Sequence, residues 1–220
     1  MSRTGVFGGT FDPVHTGHLI AAQQAIRCRN LDKIVFVPCA ASPHKVGGRT
    51  SACARRRCAS GIRSVGPVAS ARDRLAMVRL AIRGNPAFAV SGVETERGGV
   101  SYTIDTLRAL KAGPCRRDEL FLIVGADSLR DFHAWRDPRG ILMLARLTVL
   151  ARPGFDLRIP HALADAVGRA NVARILRDCV RMPLIEISSR ELRKMLARKE
   201  DVTYLVPESV LSYIRRNRLY

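Results

Sequence analysis

The chain lacks any apolar run approaching the ~20 residues of a transmembrane helix. No apolar signal core precedes the glycine-rich stretch near its start, so a soluble, cytoplasmic protein is expected. Its 6 cysteines are scattered and form no Cys-x-x-Cys pair. Cys53 and Cys58 come closest, and a lone pair separated by four residues does not define a zinc site. Reduced thiols are therefore expected. Also missing are Gly-x-Gly-x-x-Gly, the Gly-Lys-Ser/Thr of a Walker A loop, and His-Glu-x-x-His. These absences argue against dehydrogenase-type dinucleotide binding, a P-loop and a zinc protease centre. Acidic residues are few. With 37 Lys+Arg against 19 Asp+Glu the net charge is +18, and arginine supplies most of it, since only Lys33, Lys45, Lys111, Lys194 and Lys199 are lysines. Such an excess suits nucleic acid, a polyanionic substrate or a genome rich in arginine codons. No recognition helix, zinc-finger spacing or aromatic RNA-binding motif accompanies it, so nucleic-acid binding stands as the distant reading.

What is present is globular composition, 47% hydrophobic and 25% charged over 220 residues. This length suits a single domain spanning residues 1–220. Short, nearly continuous apolar runs recur at residues 4–8, 33–38 (KIVFVP), 88–93, 119–124 (ELFLIV), 147–151 and 184–187. Such runs suit parallel strands buried on both faces. Amphipathic helical stretches lie between most of them, at 18–27, 71–83 and 104–111. The alternation predicts an α/β fold with a parallel sheet, and two more helices, at 189–198 and 207–217, close the chain. Pro207 suits a first helical position. Residues 46–69 are rich in Gly, Ser, Ala and Arg without a clear period. They read as a flexible basic insertion, with a lid over an anionic substrate as the alternative.

In a parallel sheet, ligands bind beyond the carboxyl ends of the strands, so the loops after strands are the places to look. The first such loop reads GGTFDPVHTGHL, residues 8–19. Gly8 and Gly9 allow a tight turn and close approach of a ligand to the backbone. A helix beginning near Thr16-Gly17 aims its first N–H groups into the same space, which favours an anion. His15 and His18 sit at that helix entrance. Metal ligation lacks a third ligand. Structural helix capping and donation to phosphoryl oxygens both remain open.

This loop resembles the H-x-G-H motif of the nucleotidyltransferase superfamily. SPHK at 42–45, RLAMVRLAI at 74–82, GGVSYTIDTL at 98–107, GADSLRDFHAW at 125–135, LARPG at 150–154 and ISSRELR at 187–193 follow in the expected order. Together they are similar to the bacterial nicotinate-nucleotide adenylyltransferase family over nearly the whole length. The resemblance implies a Rossmann-like open parallel sheet with helices on both faces and a small C-terminal helical portion. It implies transfer of AMP from ATP to nicotinate mononucleotide, with Mg²⁺ assisting and ATP and the mononucleotide as the small-molecule partners. It places His15 and His18 on the ATP phosphates, with Gly8, Gly9, Thr10 and Phe11 lining the same loop and Asp12-Pro13 shaping its turn. Lys45 becomes a candidate phosphate or leaving-group cation. Ser188 and Ser189 would follow a strand ending at Ile187, cap the next helix and favour phosphate there. Arg193, one turn on, would grip the β- and γ-phosphates. Gly125 would approach the nucleotide, and Asp127 would accept from a ribose hydroxyl. Tyr102, Thr103 and Trp135 would form the acceptor pocket, Trp135 stacking on the pyridine ring and Thr103 donating to the carboxylate or capping the helix from Ile104. Arg190 stands where the family usually has threonine. Nicotinamide mononucleotide is the alternative acceptor.

Overall fold

A computed structural model describes residues 1–41, 68–151 and 159–220. Its centre is a six-stranded sheet built of β1 (Arg3–Gly9), β2 (Lys33–Pro38), β3 (Phe88–Val90), β4 (Glu119–Gly125), β5 (Ala145–Ala151) and β6 (Val180–Arg181). All neighbours run parallel, in the order β3-β2-β1-β4-β5-β6. The order reverses between β1 and β4, and a reversal of this kind opens a crevice at the carboxyl ends of the two strands.

The apolar runs are buried on both faces because side chains alternate across a strand with period two. Ile34 and Phe36 of β2 and Phe121 and Ile123 of β4 enter one core. Val35, Val37, Leu120, Leu122 and Val124 enter the other. The first core is closed by α1 (Thr16–Arg29), α2 (Ala71–Ala81), α9 (Ser189–Ala197) and α10 (Glu208–Arg216). The second is closed by α4 (Thr103–Ala112), α6 (Pro138–Leu144), α7 (His161–Val167) and α8 (Arg169–Arg177). Two one-turn helices, α3 (Val93–Arg97) and α5 (Ala126–Arg130), sit close after β3 and β4. Gly5 leaves room for its neighbours: a Cβ there would lie 2.3 Å from Ile34 Cδ1 and 2.9 Å from Ile123 Cδ1, so a side chain would force both to shift. No helix among the described residues is long and apolar enough to cross a membrane.

Several expected boundaries move. The sixth strand is Val180–Arg181, and residues 184–187 belong to no strand. Leu184 is 63% exposed, so its apolar run does not fill a two-sided core position. β3 stops at Val90, because Gly92 caps α3 from Val93. Pro207 is the N-cap of α10, one position earlier than expected. Most of the basic insertion, residues 46–67, lies outside the described residues, and Cys53 and Cys58 lie there with it. Its last two residues are fixed: Val68 and Ala69 donate their N–H groups to the Asp12 carboxylate at 2.8 and 3.1 Å. The cysteines among the described residues are free thiols.

Candidate active site

β1 ends in Gly8-Gly9, and the chain turns through Thr10 to Val14 into α1. His15 is the N-cap of α1, and its backbone N–H donates to His18 Nδ1 at 3.2 Å. Because Nδ1 accepts, the ring proton of neutral His18 resides on Nε2, leaving Nε2–H as a donor. The two imidazoles stack with centroids 3.7 Å apart, and His15 is buried. Burial first, and the neighbouring His15 second, hold His18 well below the ordinary histidine value. The capping role and the ligand role expected of this pair are therefore compatible: one nitrogen of His18 serves the helix and the other is left over.

Both rings line a cleft of about 340 Å³, closed by Gly125 at the end of β4 and by Ile187, Ser188 and Ser189 at the start of α9. Ser188 is the N-cap of α9 and accepts from the Glu191 N–H at 3.2 Å. Ser189 donates its hydroxyl to the Pro13 carbonyl at 2.9 Å. The two motifs, 176 residues apart in sequence, are thus bonded to each other. A further tie joins Thr16 to the backbone carbonyls of Tyr204 and Leu205 at 2.8 and 2.9 Å.

A second cleft, of about 250 Å³, opens on the other side of the same strand ends. Gly8, Gly9 and Thr10 line it, together with Tyr102, Thr103 and Trp135. Trp135 packs on Phe132 with centroids 5.2 Å apart. Thr103 does not cap α4; Tyr102 occupies the N-cap position without a side-chain cap bond, and Thr103 is the first helical residue.

Comparison with known proteins gives this arrangement a relationship. Residues 6–195 match the cytidylyltransferase-like family. A protein of Herpetosiphon aurantiacus named "Probable nicotinate-nucleotide adenylyltransferase" is 40% identical over 222 residues, 100% of this chain and 99% of its own. A protein of Frankia casuarinae with the same name is 39% identical over 213 residues, 97% of each chain. The chain belongs to the nicotinate-nucleotide adenylyltransferase family. Its fold is also that of the Plasmodium falciparum nicotinic acid mononucleotide adenylyltransferase complexed with NaAD. That structure matches at a TM-score of 0.67 and 15% identity, covering 100% of this chain and 98% of the other. The same enzyme complexed with APC matches at a TM-score of 0.66.

In this member of the family, not every residue expected at the site reaches a cleft wall. Phe11 is buried under the loop, edge-on to His18 at 5.0 Å, and supports the ring without lining the cleft. Asp127 is exposed in the first turn of α5 and lines neither cleft, although Gly125 beside it does. Arg193 lies behind the loop. Its Nη1 donates to the Asp12 carbonyl at 2.6 Å and the Ser189 carbonyl at 3.2 Å, and sits 3.6 Å from the Asp12 carboxylate. A two-pronged grip on phosphate using that nitrogen would require these bonds to be given up. Arg190 is exposed and off the cleft walls. Lys45 lies outside the described residues.

Other site residues escaped the sequence reading. Glu94 lines the second cleft while only 6% exposed, and accepts from the Thr106 hydroxyl at 2.6 Å. Burial pushes its carboxyl up. Arg136 lines the same cleft, with its guanidinium 4.8 Å above the Tyr102 ring and 3.5 Å from Asp105. Arg74 is the third. Though 1% exposed, it donates to four carbonyls: Thr10 at 2.8 Å, Cys39 at 2.6 Å, Ala40 at 3.1 Å and Ala69 at 3.3 Å. Of the three, only Arg74 carried a positional signal. It falls with Leu75, Met77 and Val78 on the buried face of α2, where an arginine must be fully bonded.

Proposed function

We propose that the chain transfers the adenylyl group of ATP to nicotinate mononucleotide, forming nicotinic acid adenine dinucleotide and pyrophosphate on the route to NAD. A phosphate oxygen of the mononucleotide attacks the α-phosphorus of ATP, and the bond to the β-phosphate oxygen breaks in line with it. The observation that carries this reading is a pair of clefts flanking the carboxyl ends of β1 and β4, one walled by stacked imidazoles and the other by aromatic side chains. The names of the relatives and the NaAD complex of the fold neighbour support it.

The roles follow from the chemistry of the walls. His18 Nε2–H, fixed by the Nδ1 bond, donates to phosphoryl oxygens, and His15 holds the helix entrance that frames it. The glycine turn keeps the β1 backbone open between the two clefts. The start of α9, with Ser188 and Ser189, adds a second helix N-terminus toward the same anion. Tyr102 and Trp135 offer flat faces to a pyridine ring. Among the described residues no group of three His, Cys, Asp or Glu side chains could hold a metal ion. The imidazole and hydroxyl walls fit a Mg²⁺ carried on the substrate phosphates with its waters, where it would neutralise developing charge.

The test is pyrophosphate release from ATP with nicotinate mononucleotide and, separately, nicotinamide mononucleotide. Release with the first and much less with the second is expected. Equal release would move the assignment to a dual-acceptor enzyme, and no release with either would overturn it.

A further inference from the structure

Asp12 is the point at which four parts of the chain meet. Its carboxylate is 2% exposed and lies within the loop that carries the histidine pair. Oδ1 accepts from the Tyr220 hydroxyl at 2.6 Å and from the Ala69 N–H at 3.1 Å. Oδ2 accepts from the Val68 N–H at 2.8 Å and stands 3.6 Å from Arg193 Nη1. A buried negative charge three residues from His15 opposes any polyanion arriving at the cleft unless it is neutralised where it stands. The backbone amides, the arginine and the phenol do this together. The phenol is committed as a donor: burial first, and the Asp12 carboxylate second, push its ionisation well up.

We infer that Tyr220 is a positioning residue for the nucleotide half of the site, its hydroxyl screening and orienting the Asp12 carboxylate so that the histidine loop accepts a triphosphate. This rests on the proposed assignment of that cleft to ATP. Without the hydroxyl, one charge-assisted bond to Oδ1 is lost. The carboxylate then draws more strongly on Arg193 and projects more negative potential toward the cleft. The ring of Tyr220 packs against the first core, and phenylalanine preserves that packing.

The test compares Tyr220→Phe with the wild-type protein by calorimetric titration with ATP, adenosine and nicotinate mononucleotide, alongside steady-state kinetics. Loss of one hydrogen bond to a charged group predicts that ATP binds about three- to tenfold more weakly. Adenosine and mononucleotide affinities should stay within about twofold, because adenosine carries no phosphate and the mononucleotide occupies the other cleft. In an Asp12→Asn background the same replacement should have no further effect on ATP. Equal ATP affinity in the two proteins overturns the inference, as does a uniform loss for ATP and adenosine, which would mark the phenol as purely structural. A wild-type protein that binds ATP but releases no pyrophosphate with either mononucleotide overturns the proposed reaction and leaves this inference standing on the binding data.

Discussion

Replacing Arg74 by methionine should unfold the floor of the site before it alters any group that touches substrate. The guanidinium is 1% exposed and holds the carbonyls of Thr10, Cys39, Ala40 and Ala69. Methionine fills much of the volume and supplies no donor. Four carbonyls, those of Cys39 and Ala69 buried and those of Thr10 and Ala40 half-buried, then lose a partner, and at about 1 kcal/mol per bond the loss is about 4 kcal/mol. For a chain of this size that corresponds to a fall in Tm of about 8–16 °C. Lysine keeps the charge but lacks the planar fork, so Arg74→Lys should recover only part of the loss. The assay is thermal unfolding followed by circular dichroism, with turnover measured well below the lower Tm. Thr10 and Cys39 line the second cleft, so the KM for the acceptor should rise in the same variants. A Tm for Arg74→Met within about 3 °C of wild type would show that water or a relaxed backbone satisfies these carbonyls, and would refute the argument.

Trp135→Ala should raise the KM for the mononucleotide by about tenfold, the scale of a lost aromatic contact, with little change in the KM for ATP. An unchanged acceptor KM would remove Trp135 from the pocket. Arg190→Thr should leave the KM for ATP within about twofold, since the side chain is exposed and off the cleft wall and an exposed charge is well screened; a large rise would show that Arg190 reaches the phosphates. The pH dependence of stability should carry the mark of His18. Its folded-state value lies well below the ordinary 6.5. The unfolded chain therefore binds the proton first, and His18's contribution is fully present above about pH 6.5 and lost as pH falls through the folded value. Urea midpoints of wild type and His18→Gln, followed from pH 8 to about pH 5, should diverge in slope only below about pH 6.5, and parallel curves would contradict the shift.

The parallel sheet was legible because strands buried on both faces leave nearly continuous apolar runs, and β2 and β4 show it most clearly. The false strand at residues 184–187 has the same appearance, and apolarity alone does not reveal that Leu184 faces solvent. The two-residue β6 that takes its place, Val180–Arg181, is too short to leave a pattern. The histidine loop and the serine pair were legible as motifs because each opens a helix, although only the histidine loop follows a strand directly. The engagement of Arg193 Nη1 with the loop was not legible, for a different reason. The motif says that an arginine follows the serines by one turn, and says nothing about a competing acceptor. Only the fold brings the Asp12 carbonyl to 2.6 Å from it.

The same competition explains how an acidic residue is tolerated inside the loop proposed to hold phosphate. A carboxylate beside incoming phosphates costs affinity in proportion to its unneutralised charge. Here the charge is spread over backbone N–H groups, a phenol and a guanidinium drawn from residues 68–69, 220 and 193. In exchange the loop gains fixed partners on three sides: Pro13 is held by Ser189, Thr16 by Tyr204 and Leu205, and Thr10 by Arg74. Such a loop is preorganised, so on the proposed assignment its imidazoles would need no reordering when charge develops at the α-phosphorus. The C-terminal helices thus do more than cover the first core. Ser189 and Arg193 of α9, with Tyr204, Leu205 and Tyr220 flanking α10, hold the turn that leads into α1 and His18.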